Sequence, residues 1–207
     1  MTEEKVTKIL SQHVPQKAIE YCLSLWKENA FHLKITRSRN SKTGDFFCAA
    51  SQVTPRISIN NDLNPYLFLI TYVHEVAHLH VHKRNRRATP HGKEWKLCFQ
   101  QLMLPLLTPE LFPEPVFSLL HKHMQQPKAS SFADAALTKA LRLFDPHAEG
   151  MITVSELPEG SHFMIRGKQF KKGELRRTRF LCHEIKSKRK YLVPAEALVS
   201  EVQLHLF

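Results

Sequence analysis

Apolar and polar positions follow two different periods along this chain, and the change between them divides it. Over residues 3–30 apolar side chains recur at helical spacing in two runs, which are separated at Val14-Pro15. Three short extended runs follow, near residues 31–38, 45–50 and 56–60. After residue 152 the period is again that of strands, in short runs between glycines and basic turns. The pattern therefore predicts an α+β fold with a small three-stranded sheet, followed by a β-rich module.

We set the expected domain boundaries where this pattern changes. Residues 1–125 are predicted to form the first domain, and residues 152–207 a small basic β module. The stretch between them, 126–151, is predicted to be a linker that contains one helix over about 132–144.

The longest apolar segment begins at Asn64-Pro65, which suits a helix N-cap and the first helical position. It is apolar almost all round, as in a helix buried at the centre of a domain, and polar residues interrupt it too early for a membrane span. His74 and His78, four residues apart, lie on one helical face, with Glu75 beside the first. This H-E-x-x-H pattern is typical of zinc sites in which two histidines bind the metal and the glutamate acts as general base.

A catalytic zinc needs a third protein ligand, and the sequence offers two candidates beyond the following loop, His91 and Glu94. Thr89-Pro90 predicts the start of a second helix, in which His91 shares the apolar face of Trp95. We therefore prefer His91 to Glu94 as the third ligand, and we expect one zinc ion per chain.

Residues 54–100 resemble the SprT-like family of zinc metallopeptidases. The residues that carry the resemblance are the strand Ile57-x-Ile59-Asn60-x-x-Leu63, the motif helix, and His91-Gly92-x-x-Trp95. An upstream segment from Phe31 to Cys48 resembles a hairpin of the family more loosely, with Gly44-Asp45-Phe46 where the family usually has Gly-Ser-Cys. The resemblance implies a zincin-like domain in which the three histidines bind zinc and Glu75 is catalytic.

Motif and resemblance together predict a zinc-dependent metallopeptidase in which Glu75 activates water for attack on a peptide bond. The strand at 56–60 is predicted to pair its backbone with an extended substrate, as sheet edges do. The alternative is a non-catalytic, zinc-stabilised protein that binds nucleic acid.

The charge balance suggests a partner. The chain has a formal net charge of +11, and its last 57 residues hold 11 Lys and Arg against six Glu. Clustered basic residues are typical of surfaces that bind phosphate backbones. We therefore predict DNA binding and a substrate that is a DNA-bound or DNA-crosslinked protein, with Arg177 and Arg179 on one face of an extended segment. The candidate contact residues are Arg84, Arg86, Arg87, Lys172, Arg176, Arg177 and Arg179.

The remaining motifs mainly exclude other kinds of site. The four cysteines have no C-x-x-C spacing, so we predict neither a disulfide framework nor a cysteine zinc site. Because SprT-like proteins often carry a C-terminal zinc ribbon, the resemblance implies that the β module is a degenerate ribbon without its cysteine ligands. The run from Asp145 to Glu156 is similar to a calcium loop, but His147 is a poor calcium ligand and Pro158 stops the exit helix. Without a signal peptide, the protein is expected to be cytoplasmic, with no membrane partner.

Overall fold

The computed structural model describes residues 1–39, 42–49, 54–129, 133–145, 151–165 and 167–202. The chain divides into two compact units, Met1–Pro146 and His147–Phe207, and each has its own hydrophobic core. His147 and Glu149 of the calcium-like run, and the basic residue Arg166, lie outside the described residues.

Six helices are described in the first unit: α1 (Glu3–His13), α2 (Ile19–Asn29), α3 (Pro65–Arg84), α4 (Lys93–Met103), α5 (Val116–Gln125) and α6 (Ala135–Arg142). The predicted break between the first two is confirmed, because Val14 is extended before Pro15 (φ −117°, ψ 159°). The sequence analysis did not anticipate α5. The helix predicted in the linker is α6, and its Leu137 and Leu141 are buried in the core of the first unit.

The three predicted strands form one sheet: β1 (His32–Thr36), β2 (Gly44–Phe47) and β3 (Arg56–Asn60). Their order is β1-β3-β2, with β1 parallel and β2 antiparallel to β3. The expected hairpin of the first two strands is therefore wrong, because β3 lies between them. The expected pairing of residues 56–60 with substrate is wrong for the same reason, since both edges of β3 are already hydrogen-bonded. In this described sheet, β2 is the outer strand that contacts α3.

Helix α3 is the centre of the first unit. It begins as predicted, with the Asn64 side chain accepting a hydrogen bond from Leu67 N–H at 3.0 Å and Pro65 at the first position. Eleven of its 20 residues are buried, on every side of the helix. Asn64 also donates to the Leu141 carbonyl at 2.8 Å, which ties α6 to the start of α3. The motif residues thus lie on a helix held at both faces by packing.

The second unit is a small antiparallel sheet of seven strands: β4 (Ile152–Thr153), β5 (His162–Ile165), β6 (Lys168–Lys171), β7 (Leu175–Arg176), β8 (Arg179–Glu184), β9 (Lys190–Pro194) and β10 (Leu198–Glu201). The strand order is β4-β10-β5-β6-β8-β7, and β9 pairs with β8. Phe163, Phe170, Cys182, Val193 and Val199 fill its core. A mixed α+β architecture with a β-rich C-terminal sheet is therefore confirmed.

Among the described residues, no helix combines the length and the apolar character that crossing a membrane requires. The expected cytoplasmic location stays a prediction.

Candidate metal centre

Three imidazoles from two parts of the first unit meet at one point. The Nε2 atoms of His74 and His78 are 3.2 Å apart, those of His74 and His91 are 3.1 Å apart, and those of His78 and His91 are 3.0 Å apart. Nitrogen ligands at the usual zinc distance in a tetrahedral site would be about 3.3 Å apart. These three residues are the group suited to holding a metal ion in the part of the chain that the structure describes. The residues present therefore fit a zinc ion.

The third histidine reaches this point from a turn, not from a helix. The helix predicted to start at Thr89-Pro90 begins instead at Lys93, with Gly92 as its N-cap. His91 lies just before it in the left-handed backbone region, at φ 57°. Such a conformation costs a non-glycine residue about 1–2 kcal/mol. Glu94, the alternative ligand, is exposed and outside the cluster.

The Trp95 indole is a common wall for the three ligands. Its ring centroid lies 4.5, 5.4 and 4.7 Å from those of His74, His78 and His91. The side chain is 1% exposed, and its Nε1–H donates to the His74 carbonyl at 3.4 Å. A packed indole in this place restricts rotation of all three imidazoles, so the ligands are oriented before a metal arrives.

Burial keeps the two helix-borne histidines neutral. It lowers the pKa of His74 to about 3, with further lowering from His78 and His91, and it lowers the pKa of His78 to about 4. Burial also lowers the pKa of His91. Metal ligation requires the neutral imidazole, so this site offers free lone pairs at physiological pH.

Glu75 is buried between α3 and the outer strand, at 6% exposure. A Cβ atom at Gly44 would lie 2.6 Å from its Oε1, so the close approach of β2 to α3 requires glycine at this position. Burial, with a smaller contribution from Asp45, raises the pKa of Glu75 to about 8. A hydrogen bond donated by the Phe46 backbone N–H acts in the opposite direction, as do the nearby charges of Arg39 and Lys42. The strand thus fixes the carboxyl group beside the histidine cluster.

The buried side-chain amide of Asn60 holds the segment that leads into β2, a role that was not predicted from the sequence. Asn60, 2% exposed, donates to the carbonyls of Arg39 (3.3 Å) and Lys42 (3.0 Å) and accepts from Arg39 Nε at 2.8 Å. Arg39 also donates to the Ser58 hydroxyl at 3.1 Å. The signal in the sequence is an asparagine at the end of an otherwise buried strand, where a polar side chain needs several partners.

Other polar residues of α3 have structural contacts. The Tyr72 hydroxyl is buried and donates to the Cys22 carbonyl at 2.7 Å, so it is occupied away from the site. His80 hydrogen-bonds Asn29 at 2.9 Å and joins α3 to α2. His82 is half-buried, with its ring centroid 5.4 Å from that of Phe46.

The predicted nucleic-acid contacts fall in two separate groups. Arg84 ends α3, and Arg86 and Arg87 follow in the loop, all three exposed. The other group lies in the second unit, and two of its placements need correction.

Lys172 was grouped with surface residues, but it is 6% exposed. Its ammonium donates to the Leu157 and Ser155 carbonyls and lies 4.0 Å from the centroid of the Phe180 ring. The Lys172 ammonium therefore has its partners inside the second unit.

Arg177 was expected to share a face with Arg179. It lies instead in the two-residue turn between β7 and β8, at φ 56°. Arg176 is the residue opposite Arg179 across the hairpin, and opposing residues share a face. The shared face therefore carries Arg176 and Arg179.

The geometry defines an α+β domain with a three-histidine centre suited to a metal ion and a buried carboxyl beside it. Residues 24–110 match the model of the SprT-like family, so this part of the chain is similar to that family. The match extends from within α2 past α4 and contains all three histidines and Glu75. At the level of the family, this similarity indicates a metallopeptidase-like function.

Neither a curated protein nor a solved structure matches the chain. Within the second unit, the buried Cys182 faces the core and the next residue, His183, is exposed. The two side chains therefore point to opposite faces and do not share an ion.

Proposed function

We propose that this chain is a zinc-dependent metallopeptidase with a zincin-like first unit, in which His74, His78 and His91 hold one zinc ion and Glu75 is the general base. The observation that carries this proposal is the approach of the three Nε2 atoms to within 3.2 Å beside a buried carboxyl group. When bound, zinc supplies a Lewis acid that polarises a carbonyl and makes water a better nucleophile at neutral pH.

Glu75 carries the proton through the reaction. Its carboxylate takes a proton from the attacking water and later gives it to the leaving amine. The Phe46 N–H keeps the carboxylate in place. In the metal-free protein burial favours the protonated form, and the charge of a bound zinc ion would favour the carboxylate that the first step requires. Trp95 keeps the imidazoles oriented and excludes water from their inner side.

The edge of β2 that has no partner among the described strands is the proposed place for an extended substrate. One edge of this strand pairs with β3, and it lies against α3 beside Glu75. A peptide that adds to the sheet here is held by main-chain hydrogen bonds, which any sequence can supply.

The alternative, a zinc-stabilised binding protein without turnover, has no use for Glu75. A buried carboxyl group with a raised pKa reduces the stability of the metal-free fold at neutral pH. A purely structural site would be more stable with an uncharged residue in its place, which favours the enzyme.

We also propose that the second unit binds the DNA backbone and that the substrates are DNA-bound or DNA-crosslinked proteins. The support is the face of the sheet opposite the core, which the strand pairing defines. Its basic residues are Lys171, Arg176, Arg179 and Lys190, and no acidic residue lies at the described strand positions of that face. Glu174 pairs with Arg176 from outside the strands, and Glu184 faces the other way, toward Lys168. Such a face suits a phosphate backbone.

One assay tests both proposals. Zinc-loaded full-length protein is incubated with a DNA-binding protein, with and without DNA, beside its Glu75→Gln variant. The proposals require cleavage that DNA accelerates and that Glu75→Gln abolishes. Equal cleavage without DNA would leave a peptidase that ignores nucleic acid. Cleavage by neither protein, with zinc still bound, would support the non-catalytic alternative.

A further inference from the structure

A cavity of about 190 Å³ adjoins the metal centre in the first unit. It lies between the last turns of α3, the Phe46 side chain on β2 and the loop at 86–90, and His78 and Trp95 form its inner wall. The cavity thus begins where the histidine cluster ends and where the proposed substrate strand would run. Nothing in the proposed mechanism uses it.

The lining of the cavity is about half apolar and half polar. Phe46, Val81, Ala88, Pro90 and Trp95 contribute apolar surface. The polar lining groups are neutral or basic, and they include His82 and the exposed Arg86. Among the residues that the structure describes, no acidic side chain lines it. A Lys or Arg side chain that entered would lose water and gain no counter-charge, whereas an apolar one would gain burial.

The size of the cavity restricts the occupant to a single side chain. A water molecule takes about 30 Å³ in the liquid, so the space corresponds to about six waters. Pockets for drug-sized ligands are larger, about 300–1,000 Å³. An aromatic or long aliphatic side chain is of the right size.

We propose that this cavity is a specificity subsite, which takes one large apolar side chain of the peptide that pairs with β2. The inference rests on the proposed peptidase function and names the substrate feature that it selects. Ala88, half-buried in the loop, determines how much of the space is open, and Arg86 at the rim excludes basic side chains.

The first test uses a mixed peptide library and the zinc-loaded full chain. Mass-spectrometric mapping of the cleaved bonds should show large apolar residues enriched, and Lys and Arg depleted, at one position beside the cleaved bond. Ala88→Leu should shift that position toward Gly and Ala while zinc content stays unchanged. The matched control is Ala136→Leu, an equal change at an exposed position of α6, which should leave the preference as in the wild type. A flat preference in the wild type, or an Ala88→Leu profile identical to it, overturns the subsite.

A second test does not depend on turnover. Two zinc-binding hydroxamates, acetohydroxamate and 3-phenylpropanoyl hydroxamate, are titrated into the zinc-loaded protein. Burying the phenyl ring should make the second bind at least about tenfold more tightly, and Ala88→Leu should remove most of that difference. Equal affinities in the wild type, including no binding of either compound, overturn the proposal. If the phenyl preference is present but no peptide is cleaved, the subsite stands and the peptidase function fails.

Discussion

In the first unit, the polar residues of interest converge, whereas in the second they are spread over a face. Two imidazoles and a carboxyl group come from α3 and the third imidazole comes from a turn, while buried Trp95 and the close approach of Gly44 on β2 hold them in place. In the second unit, basic residues from four strands share one side of a small sheet. Another basic side chain, Lys172, is buried. Binding at a convergent site depends on each of its residues. Binding to a charged face depends on the sum of its charges. The two units should therefore respond to single substitutions in different ways.

The largest expected effect is loss of the metal from the first unit. Purified protein should hold about one zinc per chain, and His91→Ala should reduce this to near zero, because two ligands hold zinc far more weakly than three. Metal analysis after gel filtration is the measurement, with His32→Ala, an exposed histidine, as control. Zinc retained in His91→Ala but lost in Glu94→Ala would show that Glu94 is the third ligand.

The next effect concerns turnover alone. Glu75→Gln should keep its zinc and lower the rate of peptide cleavage by about 10²–10⁴-fold, the usual contribution of a general base. Cleavage rates at saturating substrate, together with metal content, provide the check. A Glu75→Gln protein that cleaves at the wild-type rate would remove Glu75 from the mechanism.

A stability effect of the same residue should be visible without metal. The folded-state pKa of Glu75, about 8, lies above its ordinary value of 4.5. The metal-free protein therefore loses stability as pH rises from 4.5 toward 8, because ionising the buried carboxyl group is unfavourable in the fold. Glu75→Gln has no proton to lose, so it should be more stable than wild type at pH 7 by about 2–3 kcal/mol. Denaturant unfolding in chelator at pH 5 and pH 7 measures the difference, which should be small at pH 5. A difference that does not grow with pH contradicts the assignment.

In the second unit, single changes should have graded effects. Replacing Arg176 and Arg179 by Ala should weaken binding to a DNA duplex severalfold, similarly for all DNA sequences. It should also reduce, by about one to two, the slope of the logarithm of the binding constant against the logarithm of the salt concentration. Replacing Lys5 and Lys8 by Ala removes two exposed charges from α1 and is the matched control. Fluorescence anisotropy at two salt concentrations measures both. Equal loss in both double variants would mean that net charge, not this face, determines affinity.

The smallest effect is a local one at the β7–β8 turn. Arg177 holds a left-handed conformation at φ 56°, which glycine adopts without strain. Arg177→Gly should raise the stability of the second unit by about 1 kcal/mol or less. Thermal unfolding tests this, with Arg177→Ala expected to show no such gain. A gain in both variants would indicate relief of charge repulsion instead.

The contrast between the units also explains how far the sequence could predict them. The spacing of His74 and His78 on a helix is a local property, so it indicated the metal centre directly. His91 joins the cluster for a different reason from the predicted one: it reaches the other two imidazoles from a left-handed turn, a conformation that helical periodicity does not describe. The order of β1, β2 and β3 was wrong because strand pairing depends on contacts between distant segments.

In the second unit, composition indicated charge but not where each charge points. Lys172 is buried because its long side chain finds two carbonyls and an aromatic ring, none of which is adjacent in sequence. Arg177 was assigned to a strand because alternation continues through a two-residue turn. The clamp formed by Asn60 and Arg39 was missed because its partners come from a segment about 20 residues away.

If the proposed centre holds zinc, the loop origin of His91 determines how the metal exchanges. Two ligands are fixed on a buried helix, whose movement requires disruption of the core. The third is on a surface turn before α4, and displacement of that turn alone leaves the ion with two protein ligands. The activation free energy for metal exchange is then that of a local opening, which is smaller than the free energy of global unfolding. Chelators should therefore strip zinc from the folded protein at a rate that denaturant changes little.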